Sequence, residues 1–212
     1  PNAVFGLKDF PHVNTELLTR YLNAATQARS VGTSVLLYGD SGTGKTELSR
    51  ALAKSCGRTL YEIRSTALAS NYADDEFNSR FPNKDRLRYL SLLNSLLTNK
   101  SNAILLVDEC EGLFENVDSQ YSKEHLQRFI EYNDIPCIWI TNYVQSLEAS
   151  FIRRFKLAID VPSLKPEEIE SVTRFYYRGL GVSLAARKQI SQVENITPAI
   201  VANATHIAHT VK

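Results

Sequence analysis

Five short apolar runs alternate with helix-like segments over the first three quarters of the chain. Several are nearly continuous stretches of β-branched and aliphatic residues, which is typical of strands buried on both faces. Strands that alternate with helices predict a parallel sheet wrapped by helices, so the expected fold class is α/β. The predicted strands span residues 34–38, 59–64, 103–107, 137–141 and 157–161.

Between the strands lie amphipathic segments, such as the one with Leu90, Leu93 and Leu97 on a single stripe. Beyond the fifth strand only helical patterns follow. We therefore expect an α/β domain over residues 1–162 and a small helical domain over residues 163–212. The predicted helices span residues 15–28, 45–55, 85–98, 122–132, 166–178, 184–194 and 198–211.

Composition narrows the class of protein. Hydrophobic residues at 43% and charged residues at 22% describe an ordinary soluble globular protein. The formal net charge of +1 does not indicate nucleic acid as a partner, although it does not exclude one. No apolar run approaches the ~20 residues of a membrane-spanning helix, and the amino end lacks a secretion signal. We expect a cytoplasmic protein with no membrane contact.

The cysteines and the first residue of the sequence each suggest a further expectation, about the state of the thiols and about the extent of the sequence. Cys56, Cys110 and Cys137 are odd in number and widely spaced, so neither a disulfide framework nor a zinc site is indicated. Buried, reduced thiols are expected. The sequence begins with Pro1 and contains no methionine, from which we expect either an excised fragment or a sequence that lacks its methionines.

A glycine-rich loop lies between the first predicted strand and the second predicted helix. Its glycines let backbone N–H groups point at phosphate oxygens, and the helix adds the positive end of its dipole. Lys45 would supply charge for the β- and γ-phosphates, and the Thr46 hydroxyl would be a Mg²⁺ ligand. The alternative is a glycine-rich turn that only caps a helix. The pattern GxxxxGK[ST] is fitted by Gly39, Asp40, Ser41, Gly42, Thr43, Gly44, Lys45 and Thr46.

Two carboxylates, Asp108 and Glu109, follow the third predicted strand. At the carboxyl end of a strand the chain turns, so both acids can reach the crevice where phosphates bind. Asp108 is predicted to hold Mg²⁺ through water, and Glu109 to act as the general base. An acidic pair after a strand is on its own more often a solvated strand end; downstream of GxxxxGK[ST] it becomes a specific signal.

Four motifs in this order resemble those of the AAA+ ATPases: GDSGTGKT, ILLVDE, the strand end ITN, and FIRRF before the fifth strand. More narrowly, the chain is similar to AAA proper and to a group of bacterial relatives. The resemblance runs from about Phe10 through the last helices. It implies a RecA-like P-loop domain with strand order 5-1-4-3-2, followed by a three-helix lid.

The resemblance also assigns roles to single residues. Asn142 matches the sensor-1 position, whose amide would orient the hydrolytic water, although a strand-end Asn is often only part of a turn. Arg154 matches the arginine finger, which would reach the nucleotide of a neighbouring subunit, with Arg153 as its alternate. Such a pair also complements a helix dipole. Phe10 and Val13 lie in the stretch that resembles the adenine pocket.

Two departures from the family pattern bear on the partner. Residues 197–201 read TPAIV and lack the sensor-2 arginine, as in AAA proper and unlike clamp-loader and helicase-loader relatives. Tyr72 falls near the aromatic position of the substrate-gripping pore loop, but Ala73 and Asp74 replace the hydrophobic residue and the glycine. A pore-loop role for Tyr72 is therefore a hypothesis.

The leading hypothesis is an ATPase that binds Mg·ATP and remodels or unfolds a protein substrate. The expected assembly is a homo-oligomer, as a hexameric ring. A motor or loader acting on nucleic acid is the second hypothesis, disfavoured by the net charge and the missing arginine. A nucleotide-gated scaffold with little turnover is the third, disfavoured by the combination of Glu109, Asn142 and Arg154.

Overall fold

A parallel sheet of five strands forms the centre of the fold in the computed structural model. The structure describes residues 3–63, 82–100, 102–115 and 120–211. Each predicted strand is present, with bounds that differ from the prediction by at most one residue. The strands are β1 (Ser34–Tyr38), β2 (Thr59–Ile63), β3 (Ala103–Val107), β4 (Cys137–Thr141) and β5 (Leu157–Asp160).

The strand order is β2-β3-β4-β1-β5. Read from the other edge, this is the order 5-1-4-3-2 that the family resemblance implies, so that prediction is confirmed. In β1 and β4, Ser34 lies opposite Cys137 and Tyr38 opposite Thr141. Because these two strands end level with each other, the loops that follow them emerge side by side at the carboxyl edge of the sheet.

Helices cover both faces of the sheet. The predicted helices are present, but α3 begins at Pro82, three residues earlier than expected, since proline is well suited to a first helical turn. Two short helices, α4 and α6, were not predicted. The helices are α1 (Thr15–Gln27), α2 (Lys45–Ser55), α3 (Pro82–Leu97), α4 (Glu111–Glu115), α5 (Gln120–Tyr132), α6 (Ala149–Ile152), α7 (Pro166–Tyr176), α8 (Leu184–Ser191) and α9 (Pro198–Thr210).

Successive strand residues enter two separate hydrophobic clusters, as expected for strands buried on both faces. On β4, Cys137 and Trp139 enter one cluster, while Ile138 and Ile140 enter the other. The first cluster includes side chains of α3 and α5, and the second those of α1 and α2. The sheet is therefore the middle of three layers, and its edges position the site.

The three carboxyl-terminal helices form a group of their own, because α7 packs against both α8 and α9. Among the described residues, no strand follows Asp160. The division into domains over residues 1–162 and 163–212 nevertheless stays a prediction.

No helix in the described parts of the chain is long and apolar enough to cross a membrane.

A buried asparagine fixes the amino ends of β1 and β4 relative to each other. The Asn133 side chain is almost fully buried, and its amide donates to the carbonyl oxygens of Thr33, at 3.4 Å, and Ile135. Its Oδ1 accepts a hydrogen bond of 3.1 Å from Ser34 Oγ. These bonds tie the start of β1 to the turn before β4, which supports the register that aligns the two loops at the other edge.

We expect Asn133→Ala to lower the free energy of unfolding by about 2–3 kcal/mol, because two buried carbonyls lose a donor and a small cavity remains. Urea denaturation monitored by circular dichroism measures this change. The control is Asn203→Ala on the exposed side of α9, which should change stability by less than about 0.5 kcal/mol. Equal effects of the two substitutions would contradict a role for Asn133 in the register.

Candidate active site

The glycine-rich loop, residues 39–44, joins the end of β1 to the start of α2, as predicted. At Gly39 a Cβ atom would collide with the carbonyl oxygen of Val161, the residue after β5. At Gly42 the backbone has φ +81°, and a Cβ would press against the Thr197 side chain at the start of α9. Only glycine suits these two positions, so the loop can lie flat between the sheet edge and α9.

Lys45 projects back over this loop. Its Nζ lies 2.6 Å from each of the carbonyl oxygens of Gly39 and Asp40, and 3.5 Å from Thr43 Oγ1. The residue is only 5% exposed. Burial lowers the pKa of Lys45, while nearby carboxylates, Asp108 first among them, raise it. The ammonium group is thus held at the centre of the loop by carbonyl dipoles and acidic neighbours.

Thr46 and Asp108, the two residues predicted to hold Mg²⁺, are in direct contact. Thr46 Oγ1 donates a 2.8 Å hydrogen bond to Asp108 Oδ2, across 62 positions of sequence. A hydroxyl and a carboxylate side by side are the oxygen ligands that Mg²⁺ prefers when phosphates and water complete its shell. Within the described residues, no group of three or more His, Cys, Asp and Glu could hold a metal ion.

Glu109 occupies a turn with unusual backbone geometry. Its φ is +48°, in the left-handed region that costs a non-glycine residue of order 1 kcal/mol or more. The next residue, Cys110, donates its N–H to the carbonyl oxygen of Ile140 at the end of β4, at 2.8 Å. The chain therefore bends sharply after β3, which brings both acids into the cavity together with Asn142.

Arg86, near the start of α3, fixes this turn through hydrogen bonds to its backbone. The sequence analysis did not identify this residue. Its guanidinium, in a residue only 4% exposed, donates to the carbonyl oxygens of Glu109 at 2.9 Å, Ile63 at 3.1 Å and Asp108. One side chain thus joins the carboxyl ends of β2 and β3. Burial lowers the pKa of Arg86, and the neighbouring Cys110 and acidic groups raise it.

A signal for Arg86 was present in the sequence. Position 86 precedes Leu90, Leu93 and Leu97 by 4, 7 and 11 residues, so it continues their apolar stripe on α3. A charged residue on a buried stripe needs partners, and the nearest candidates are strand ends, where carbonyl groups are left without ladder bonds.

The cavity in front of these residues has a volume of about 300 Å³. One end is formed by the glycine loop, Lys45, Thr46, both acids and Asn142. The other end is formed by the amino-terminal segment and by helices of the carboxyl-terminal group. Phe10 lines the cavity, whereas Val13 is buried in the hydrophobic cluster beneath it. The lining residues at this second end include Phe5, Phe10, His12, Leu164, Val172, Tyr176, Pro198 and Ala199.

The arginine pair lies away from this cavity. Arg154 Nη1 donates to the Ser150 carbonyl oxygen at 2.7 Å, and its Nε lies 3.2 Å from Glu131 Oε1 on α5. Arg153 is exposed. Neither arginine lines the cavity of its own chain. Tyr72 lies outside the described residues.

A parallel sheet with a glycine-rich loop, a buried lysine and two acids at its carboxyl edge defines a nucleotide-binding protein of the P-loop class. Residues 35–163 match the family described as "ATPase family associated with various cellular activities (AAA)". This match covers more than half of the chain. The chain therefore belongs to the AAA family, and the predicted enzyme class, an ATPase, is confirmed.

Two curated relatives illustrate the similarity. Spastin of Drosophila virilis is 24% identical over 177 residues, which covers 75% of this chain and 20% of that protein. A probable spastin homologue of Brugia malayi is 25% identical over 150 residues, which covers 64% of this chain and 31% of the relative. The chain thus spans less than a third of the length of either relative.

A solved structure shares the fold. The crystal structure of the FIGL-1 AAA domain in complex with ADP superposes with a TM-score of 0.72 at 18% identity. The superposition covers 97% of this chain and 73% of that one. It extends over both the sheet and the carboxyl-terminal helices.

We expect Arg86→Met to reduce the turnover of ATP by roughly tenfold to a hundredfold, because the turn that carries Asp108 and Glu109 loses its anchor. The affinity for ATP should change by less than about threefold, since the hydrogen bonds of Arg86 go to the ends of β2 and β3 and not to the glycine loop. Steady-state kinetics and equilibrium titration with ATP separate the two quantities. The three carbonyls left without a donor should also lower the free energy of unfolding by about 2–4 kcal/mol.

The control is Arg20→Met on α1, where the side chain is 81% exposed and pairs with Glu16 on the same helix. It should leave turnover, affinity and stability nearly unchanged. A parallel loss of affinity and turnover in Arg86→Met would argue for general disruption of the fold instead of positioning.

Proposed function

We propose that the chain binds ATP with Mg²⁺ in the cavity at the carboxyl edge of the sheet and hydrolyses it. The observation that carries this proposal is the 2.8 Å hydrogen bond between Thr46 and Asp108. It joins the residue after the loop lysine to the first acid after β3, which supports the hypothesis that the two predicted motifs form one site. The ADP bound to the FIGL-1 AAA domain supports a nucleotide as the ligand.

The glycine loop would hold the phosphates. Loop residues 39–44 and the first turn of α2 offer backbone N–H groups and the positive end of the helix dipole. Lys45 adds a full positive charge at the same place. A ligand with several negative oxygens would compete with the carbonyl oxygens of Gly39 and Asp40 for the Lys45 ammonium and would bind it more strongly, because the hydrogen bond is then charge-assisted on both sides.

Thr46 and Asp108 would hold Mg²⁺, which when bound neutralises charge that develops on the phosphate oxygens. Glu109 would take the proton of the attacking water as general base, and the Asn142 amide would orient that water. Both side chains line the cavity. The rigid turn at Glu109, fixed by Arg86 and by the Cys110–Ile140 hydrogen bond, would keep the carboxylate in a single position.

At the level of the assembly, we propose a homo-oligomeric, hexameric ring in which Arg154 acts on the nucleotide of a neighbouring subunit. The position of Arg154 outside its own cavity is consistent with this role, in which its guanidinium would exchange the contacts with Ser150 and Glu131 for a neighbour's nucleotide. Residues 1–162 would form the body and residues 163–212 the lid, and hydrolysis would drive remodelling of a protein substrate. The three unpaired cysteines support a cytoplasmic location.

We expect Glu109→Gln to bind ATP normally but to hydrolyse it at least about a hundredfold more slowly, because the amide cannot accept the proton. Lys45→Ala should lose ATP binding itself, since the loop then lacks its fixed charge. Phosphate release assays and equilibrium binding measure the two effects. The matched controls are Glu194→Gln and Lys54→Ala, both exposed, and undiminished hydrolysis in either site variant would defeat the assignment.

We further expect Arg154→Ala to be inactive alone, yet to regain activity when mixed with Glu109→Gln. In a mixed ring, about a quarter of the sites combine an intact Glu109 with an intact neighbouring Arg154. The ATPase rate of the mixture, measured over a range of total protein concentrations, tests this. A mixture no more active than its two components would count against an arginine supplied by a neighbour.

A further inference from the structure

One end of the cavity is lined by aromatic rings from two distant parts of the chain, and it adjoins the glycine loop, because a Cβ at Gly44 would lie 3.4 Å from the Phe10 ring. The amino-terminal strap, residues 4–13, crosses from α2 to the carboxyl-terminal helices. The centroid of the Phe5 ring lies 4.9 Å from that of Phe175 and 5.6 Å from that of Tyr176, both on α7. It lies 6.5 Å from the centroid of the Phe10 ring. Phe5, Phe10 and Tyr176 all line the cavity, so this end suits a flat, aromatic group.

One polar side chain of the strap, His12, lines this apolar end without a hydrogen-bond partner. The side chain is 8% exposed, and neither ring nitrogen makes a hydrogen bond within the described residues. Leaving a buried nitrogen unsatisfied costs about 1–3 kcal/mol. Such a group is expected to meet its partner in a ligand.

The surroundings of His12 determine which nitrogen carries the proton. Its Nδ1 lies 3.9 Å from Glu168 Oε1 on α7. The other carboxylate oxygen, Oε2, accepts the backbone N–H of Lys165 at 2.8 Å and so fixes the carboxylate. A negative oxygen facing Nδ1 favours the tautomer with the proton on Nδ1.

The charge state of His12 also favours a ring with one proton. Burial lowers the pKa of His12, and Glu168 raises it by less. The imidazole is therefore neutral at neutral pH. With Nδ1 protonated, Nε2 is left as a hydrogen-bond acceptor.

We propose that His12 selects the base of the bound nucleotide, with Nε2 accepting a hydrogen bond from an exocyclic amino group such as that at C6 of adenine. Guanine and hypoxanthine carry a carbonyl oxygen at C6, which would face the Nε2 lone pair and be rejected. The discrimination arises because a buried acceptor is left unpaired with the wrong base. The inference rests on the proposed function, since it takes the ligand to be a nucleoside triphosphate held by the glycine loop.

Glu168 makes this selection a shared property of two parts of the chain. His12 belongs to the strap before α1, while the carboxylate that sets its tautomer belongs to α7. Base recognition would therefore be complete only when the strap and α7 are packed together.

The test compares ATP with inosine triphosphate, which differs at C6 of the purine by a carbonyl in place of the amino group. Affinities are measured by calorimetric titration of the full chain. The wild-type protein should favour ATP by about five- to tenfold. His12→Phe keeps a ring in place but has no acceptor, so the preference should fall below about twofold, through weaker binding of ATP.

His12→Gln provides a second variant, because its amide oxygen can accept the same hydrogen bond. It should retain part of the preference for ATP. His206→Phe, the same substitution at an exposed histidine of α9, is the control and should leave both affinities unchanged. An unchanged preference in His12→Phe, or none in the wild-type protein, would overturn the role of His12.

The role of His12 and the proposed function fail in different ways. If ATP and inosine triphosphate both bind through Lys45, as judged by their loss in Lys45→Ala, but with equal affinity, only base selection by His12 is wrong. If Lys45→Ala binds both triphosphates as tightly as the wild-type protein, the proposed nucleotide site itself is wrong.

Discussion

The contact between Thr46 and Asp108 depends on strand order. β4 lies between β3 and β1, so the acid after β3 must reach past the end of β4 to meet the residue at the start of α2. Asn142, which follows β4, lines the same cavity as the phosphate loop and the two acids. Three segments far apart in sequence thus meet at the carboxyl ends of three neighbouring strands.

Much of this could be predicted from sequence, because the signals are local. Each strand is a short apolar run, and several long helices begin at a capping residue or a proline, as α1 does after Asn14 and α9 after Thr197. The glycine loop was found by its pattern and its place between β1 and α2. The strand order could not be predicted from such local signals. It was predicted from the family resemblance, since no residue pattern within one strand specifies its neighbours.

The residues that sequence reasoning missed act through contacts between distant segments. Arg86 matters because three carbonyls at the ends of β2 and β3 lie within reach of it; its place on the apolar stripe of α3 indicates a buried charge, but not which carbonyls it meets. The left-handed backbone of Glu109 likewise results from the bend that pairs Cys110 with Ile140. The role of His12 could be inferred only once the position of α7 was known, because α7 packs beside the strap in the folded chain.

The cavity is bounded by both the sheet and the carboxyl-terminal helices, and this sets how a bound nucleotide could do work. Thr197 meets the loop at Gly42, and Glu168 faces His12. A ligand shifts a conformational equilibrium only by the difference between its affinities for the two states. In the proposed function, the phosphates would lie near the contact between Gly42 and Thr197, and the base near the contact between His12 and Glu168. A change in the phosphates would therefore alter the first contact and leave the second in place, so the carboxyl-terminal helices could shift relative to the sheet while the base stays bound.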